Sequence, residues 1–176
     1  MKKFALAILI ACMSQIYAAE AIKGAFGITF GDFNDFIKWP HNKEETKEIG
    51  LNTYRFERPI GYRIFTKCWF KTTPKTKKIF KIYSFYNAQN ELEAEKEVNI
   101  IKEAVKQKYK NKIKEYKSKH IKKYNQAILF RSGNRYIQIL RDKKKVYISY
   151  GDYDWQILNK KEAIKDDIQK SPDDGL

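Results

Sequence analysis

The sequence predicts an α+β fold: a curved antiparallel sheet of about six to seven strands, one long amphipathic helix packed on it, and short helices near both ends. The helix is the first of three signs. From Asn90 to Lys117 the residues Ala94, Val98, Ile101, Val105, Tyr109, Ile113 and Tyr116 recur every three or four places, which sets them on one stripe. Asn90 supplies an N-cap and Glu93 follows three places later, a capping box with Asn in its first position. Glu91, Glu93, Glu95 and Glu97 crowd the start and lysines crowd the end, the order that complements the helix dipole. The second sign is that runs rich in aromatic and branched residues lie on both sides of this helix. The third is the hairpin length of the links between those runs, which implies antiparallel pairing.

The chain opens on an address. Lys2 and Lys3 form a charged start, Phe4 to Met13 an apolar core, and Ser14 to Ala18 a small-residue cleavage region, so Met1 to Ala18 reads as a signal peptide. That apolar core is too short to span a bilayer. The expected product is one α+β domain over 19–170 with a flexible tail over 171–176, exported to the periplasm or secreted. Leu9-Ile10-Ala11-Cys12 carries a rival reading, a lipobox that would anchor the protein through a lipid on Cys12. After simple cleavage Cys68 is the one cysteine left, so the mature core must hold by packing without an internal disulfide.

Early in the mature chain comes Gly24-Ala25-Phe26-Gly27-Ile28-Thr29-Phe30-Gly31, read as a short strand, after which Asp32 caps a helix from Phe33 to Trp39 that stops at Pro40. This opening resembles the mature start of many small exported bacterial α+β proteins of undetermined role. The resemblance implies export and an α+β fold, and brings no functional residue with it. His41 to Leu51 is polar and reads as a loop. Strands follow at Tyr54 to Arg58, Tyr62 to Thr72 and Ile79 to Tyr86, with Thr73 to Lys77 as the turn between the last two. Beyond the helix, strands are expected at Ala127 to Arg131, Tyr136 to Arg141 and Val146 to Tyr150, joined by turns at Ser132-Gly133-Asn134 and Asp142-Lys143-Lys144. Tyr153 to Leu158 adds a further strand, and Asn159 caps a short last helix reaching Ile168.

Hydrophobic residues make up 43% of the 176, enough for a packed core. The net charge of +15 predicts attraction to anionic partners or membrane surfaces. Lys far outnumbers Arg, however, which argues against base readout and so against a specific nucleic-acid partner. Catalytic residues are not identified. The two histidines, His41 and His120, make no metal spacing, and no phosphate loop, dinucleotide fingerprint or nucleophile elbow is present, so no cofactor or metal is expected. Cys68 lies mid-strand and reads as a small buried hydrophobe. Asp152 and Asp154 read as turn residues, and Asp32 and Asp35 as helix-start carboxylates.

Two features carry a binding reading beside a plainer one, in which the lysines form a solvated face and their stems cover aromatics as on ordinary sheets. Arg63, Phe65, Lys67, Trp69 and Lys71 share one side of the strand Tyr62 to Thr72, mixing cations with aromatics, while Tyr62, Ile64, Cys68 and Phe70 share the core side. Lys102, Lys106, Lys110 and Lys114 form a row along the polar side of the helix, extended by Lys117, Lys119, Lys122 and Lys123. The expected function is therefore a non-enzymatic exported binding protein for an anionic or amphipathic ligand. Its ligand-binding candidates are Arg63, Phe65, Lys67, Trp69, Lys71, Lys106, Lys110 and Lys114. The alternative is an interaction component that docks on an envelope or host protein; a hydrolase with an unrecognised site ranks third.

Overall fold

A computed structural model describes residues 22–57, 59, 61, 63–117 and 124–170. The expected signal peptide with Cys12, the tail over 171–176, Tyr62, Lys119, His120, Lys122 and Lys123 lie outside the described residues. The described chain divides into two compact units, a first made of 24–83 with 151–170 and a second made of 22–23 with 84–150.

In the first unit, glycines break the opening run into β1 (Gly24–Ala25), β2 (Ile28–Thr29) and β3 (Gly31–Asp32). β1 and β2 form a hairpin through Phe26 and Gly27, both at positive φ. A Cβ on Gly24 would collide with the carbonyl oxygen of Ile28, so the close approach requires glycine. Asp32 caps α1 (Phe33–Ile37) by accepting the Asn34 N–H at 2.9 Å, as the sequence predicts.

The stretch expected as a loop is instead α2 (Pro40–Glu45) and β4 (Thr46–Gly50). Pro40 suits a first helical turn, where a missing N–H costs nothing. β4 pairs with β5 (Thr53–Phe56), turning at Leu51 and Asn52, the latter in the left-handed region at φ 54°. The ladder continues through β6 (Cys68–Thr72) to β7 (Lys78–Asn87), every pairing antiparallel, and β3 adds to β7 through Gly31 and Asp32. β7 belongs to this unit as far as Tyr83.

β6 is shorter than the strand expected from Tyr62. The chain turns at Arg63 and Ile64, pairing with β5 starts only at Cys68, and Phe65 swings inward against Phe26, with ring centroids 5.6 Å apart. Burial of that ring overrides the alternation that would have kept it outward. Phe33 and Phe36 of α1 lie on Tyr54, Phe56 and Phe70 with centroids 4.4–5.9 Å apart, and Cys68 is fully buried below them. Each of the buried rings Phe36, Phe56 and Phe70 contributes about 1.5–3 kcal/mol of burial energy.

The end of the chain also departs from expectation. Tyr153 to Leu158 is no strand; a single helix, α4 (Tyr153–Lys170), starts there. Its cap is Asp152, whose Oδ1 accepts the N–H groups of Asp154 and Trp155 at 3.1 and 3.3 Å.

In the second unit α3 (Glu91–Tyr109) buries Ala94, Val98, Ile101, Val105 and Tyr109, the predicted stripe, and packs on β10 (Arg135–Asp142). Asn90 accepts the Glu93 N–H at 2.8 Å, and the Glu93 carboxylate reaches back to the Gln89 N–H at 2.6 Å and to the Tyr86 hydroxyl at 2.7 Å. The helix ends at Tyr109, well short of Lys117. Lys110 takes φ 46°, a 3₁₀ turn spans Lys110–Lys112, and Lys114–Lys117 forms β8. Ile113 and Tyr116 therefore leave the stripe they were expected to complete. β8 pairs with β9 (Gln126–Ser132), β9 with β10, and β10 with β11 (Lys145–Asp152), whose residues belong here as far as Tyr150. Arg135 Nη1 donates to the carbonyl of the fully buried Ile22 at 2.8 Å, which pins the first described residue.

The fold class is α+β, with a large antiparallel sheet that is open rather than a closed barrel, the long helix and shorter ones. Strands outnumber the expected six or seven because short pairs form at the glycine-rich opening, at β4 and at β8. No described helix is long and apolar enough to cross a membrane.

Candidate functional site

Alternation along β6 and β7 gives the first unit two unlike faces. Cys68, Phe70 and Ile82 point into the core and are fully buried, while Trp69, Lys71, Lys81 and Tyr83 stand half-buried on the opposite face. The register sets Trp69 opposite Tyr83 and Lys71 opposite Lys81. The Trp69 and Tyr83 rings stack at 5.9 Å with planes 19° apart, and Lys81 Nζ lies 5.7 Å from the centre of the Tyr83 ring. A slip in register after Lys71 sets Thr72 opposite Ile79. The extra residue at Phe80 lets Ile79 and Phe80 both bury without moving Lys81 inward.

Charge on this face is unbalanced. On β5, Arg55 pairs in register with Trp69. Its Nε donates to Glu57 at 2.6 Å, and Lys47 reaches the same carboxylate at 3.9 Å. Glu57 is thereby occupied. Lys71 and Lys81 face one another, and among the described residues neither has a carboxylate within 4.0 Å. Burial, and then the neighbouring Lys71 charge, pulls the Lys81 ammonium below its ordinary range, and burial pushes the Tyr83 phenol up. Like charges directly opposite on adjacent strands oppose folding. Here they are retained beside two stacked rings.

Trp69 and Lys71 thus stand where the sequence places them, on a cation and aromatic face. Arg63 and Lys67 are exposed but precede the strand, and Phe65 is buried in the core, so these three do not join it. Lys81 and Tyr83 complete the face and escaped the sequence reading. Their signal was the outward parity of Lys81 and Tyr83 around Ile82, obscured by the consecutive buried residues Ile79 and Phe80.

The lysine row is dismantled by the end of α3. Lys102 and Lys106 both pair with Glu115 of β8, at 2.9 and 3.2 Å, and Lys106 also reaches Glu103 at 3.4 Å. Lys110 sits in the turn that ends the helix, and Lys114 lies on β8 opposite Arg131. Lys106, Lys110 and Lys114 therefore occupy three different elements.

Cys68 is buried, as expected, and burial pushes its thiol up to about 12, far from a reactive thiolate. His41 is exposed on α2. No cluster of three metal-ligating side chains occurs among the described residues. The second unit holds its own cation and aromatic group, Lys145 with Nζ 4.3 Å from the Phe85 ring centre and 5.2 Å from that of Tyr147. On the outer side of α3, Leu92, Ile100 and Ala104 line a shallow open surface with Glu95, Asn99 and Glu103.

No family model matches the chain, and the curated proteins and solved structures hold no match to it.

Proposed function

We propose that this is an exported, non-enzymatic binding protein that takes an anionic or amphipathic ligand on the face made by Trp69, Lys71, Lys81 and Tyr83. The single observation that carries this reading is the opposition of Lys71 and Lys81 without a carboxylate partner among the described residues. An isolated like-charge pair raises the energy of the free protein, and an arriving anion removes that cost by lying between two donors. The stacked indole and phenol offer an apolar or ring-shaped part of the same ligand a surface to cover. Export is supported by the charged, apolar and small-residue order of Met1 to Ala18.

Equilibrium binding of a sulfated oligosaccharide, followed by calorimetry at low ionic strength, tests the proposal. Replacing Lys71 and Lys81 together by Met keeps the stems and removes the charges. The double variant is expected to lose most of the affinity, while the same change at Lys143 and Lys144 on a surface turn costs little. Equal losses from both double variants would reduce the binding to a diffuse response to net positive charge.

A further inference from the structure

One lysine of the pair has surroundings that suit chemistry as well as attraction. Lys81 stands opposite Lys71, lies along the Tyr83 ring, is half-buried, and has no carboxylate partner among the described residues. A carboxylate would hold its proton, and water would solvate its ammonium; both are curtailed here. Burial and the Lys71 charge together raise the share of free amine at a given pH. An amine made basic-free by burial beside a second cation is the environment in which a lysine attacks carbonyl carbon.

We propose that the Lys81 ε-amine forms a reversible imine with a small aldehyde or ketone whose own anionic group is held by Lys71. The nitrogen lone pair attacks the carbonyl carbon and gives a carbinolamine. The former carbonyl oxygen then leaves as water, taking both hydrogens of the free amine, and a C=N bond remains. Electrons balance without an oxidant or reductant. Lys71, opposite on β6, serves as the anchor. The inference rests on the binding reading for its anchor, and on Lys81 alone for its chemistry.

The test uses glyoxylate, an aldehyde bearing a carboxylate, at limiting concentration with cyanoborohydride to trap the imine as a stable secondary amine. Peptide mass spectrometry then ranks the lysines by rate. Lys81 is expected to react several-fold faster than Lys143, Lys144 or Lys145. Lys145 is the stringent comparator, because its Nζ also lies near aromatic rings, 4.3 Å from the Phe85 ring centre and 5.2 Å from that of Tyr147. Propionaldehyde, which lacks the anion, should show a smaller preference for Lys81, and Lys71→Met should remove the difference between the two aldehydes. Labelling of Lys81 no faster than that of Lys143 overturns the inference. If inorganic sulfate still binds the unlabelled protein in that event, the binding reading survives without the chemistry. If Lys81 labels fast but neither sulfate nor Lys71→Met changes the rate, the amine is reactive and the Lys71 anchor is refuted.

Discussion

The carboxylate of Glu162 on α4 accepts the backbone N–H of Lys75 at 2.7 Å. It also takes the Thr76 hydroxyl at 2.8 Å and the Thr76 N–H at 3.3 Å, and Glu162 is only 6% exposed. One buried side chain thus fastens the β6–β7 turn to the last helix of the same unit. Burial acts to raise the Glu162 pKa, but the bonds from Lys75 and Thr76 outweigh it, and the carboxyl is held below its ordinary 4.5.

Glu162→Ala removes acceptors from three donors and should cost about 2–3 kcal/mol in urea unfolding. Because the folded pKa is depressed, the stabilisation is complete above pH 4.5 and fades as pH falls through the lower folded value. Glu162→Gln should therefore flatten the acid side of the stability curve relative to the parent. An acid limb unchanged in Glu162→Gln would show that other carboxylates govern it.

Glu115 ties β8 to α3 through Lys102 and Lys106. Burial opposes its ionisation, yet the two lysines hold its pKa below the ordinary value. Glu115→Gln should speed hydrogen exchange across Lys114–Lys117 and leave β10 unaffected. In the same way Lys106→Gln should weaken binding to heparin no more than Lys143→Gln, since the Lys106 charge is already paired. A larger loss at Lys106 would restore the helix face as a docking strip.

Cys68 should resist thiol reagents in the native protein and react readily in urea, because the folded thiol is buried and its pKa is pushed up to about 12. Cys68→Ser puts a hydroxyl in an apolar site, at a cost of about 1–3 kcal/mol. Equal labelling rates in native and unfolded protein would mean that β6 presents its other face to the core.

Where a boundary is set by a local hydrogen bond, the sequence shows it. Asn90 with Glu93, and Asp32 with Asn34, cap their helices as read. Where tertiary pairing decides, periodicity misleads. Ile113 and Tyr116 continue the three-and-four spacing of α3, but Lys110 turns the chain out of the helix and β8 pairs with β9. Tyr153 to Leu158 is rich in aromatic and branched residues and looks like a strand, yet Asp152 caps it as helix. The candidate face was half legible. The alternation in β6 gave Trp69 and Lys71, but the turn at Arg63 and Ile64 and the inward packing of Phe65 removed Arg63, Phe65 and Lys67 from that strand, and the slip at Phe80 hid Lys81 and Tyr83.

If Lys71 and Lys81 are opposed for the sake of an anion, the unfolding free energy with and without sulfate registers it. In sulfate-free buffer Lys71→Met and Lys81→Met should each unfold at the same or higher urea concentration than the parent, since relieving a cross-strand like-charge pair is worth on the order of 0.2–1 kcal/mol. Sulfate should stabilise the parent progressively with concentration, as a ligand of the native state does, and should stabilise neither variant comparably. Variants less stable than the parent without sulfate, with all three proteins gaining equally when it is added, would contradict the claim.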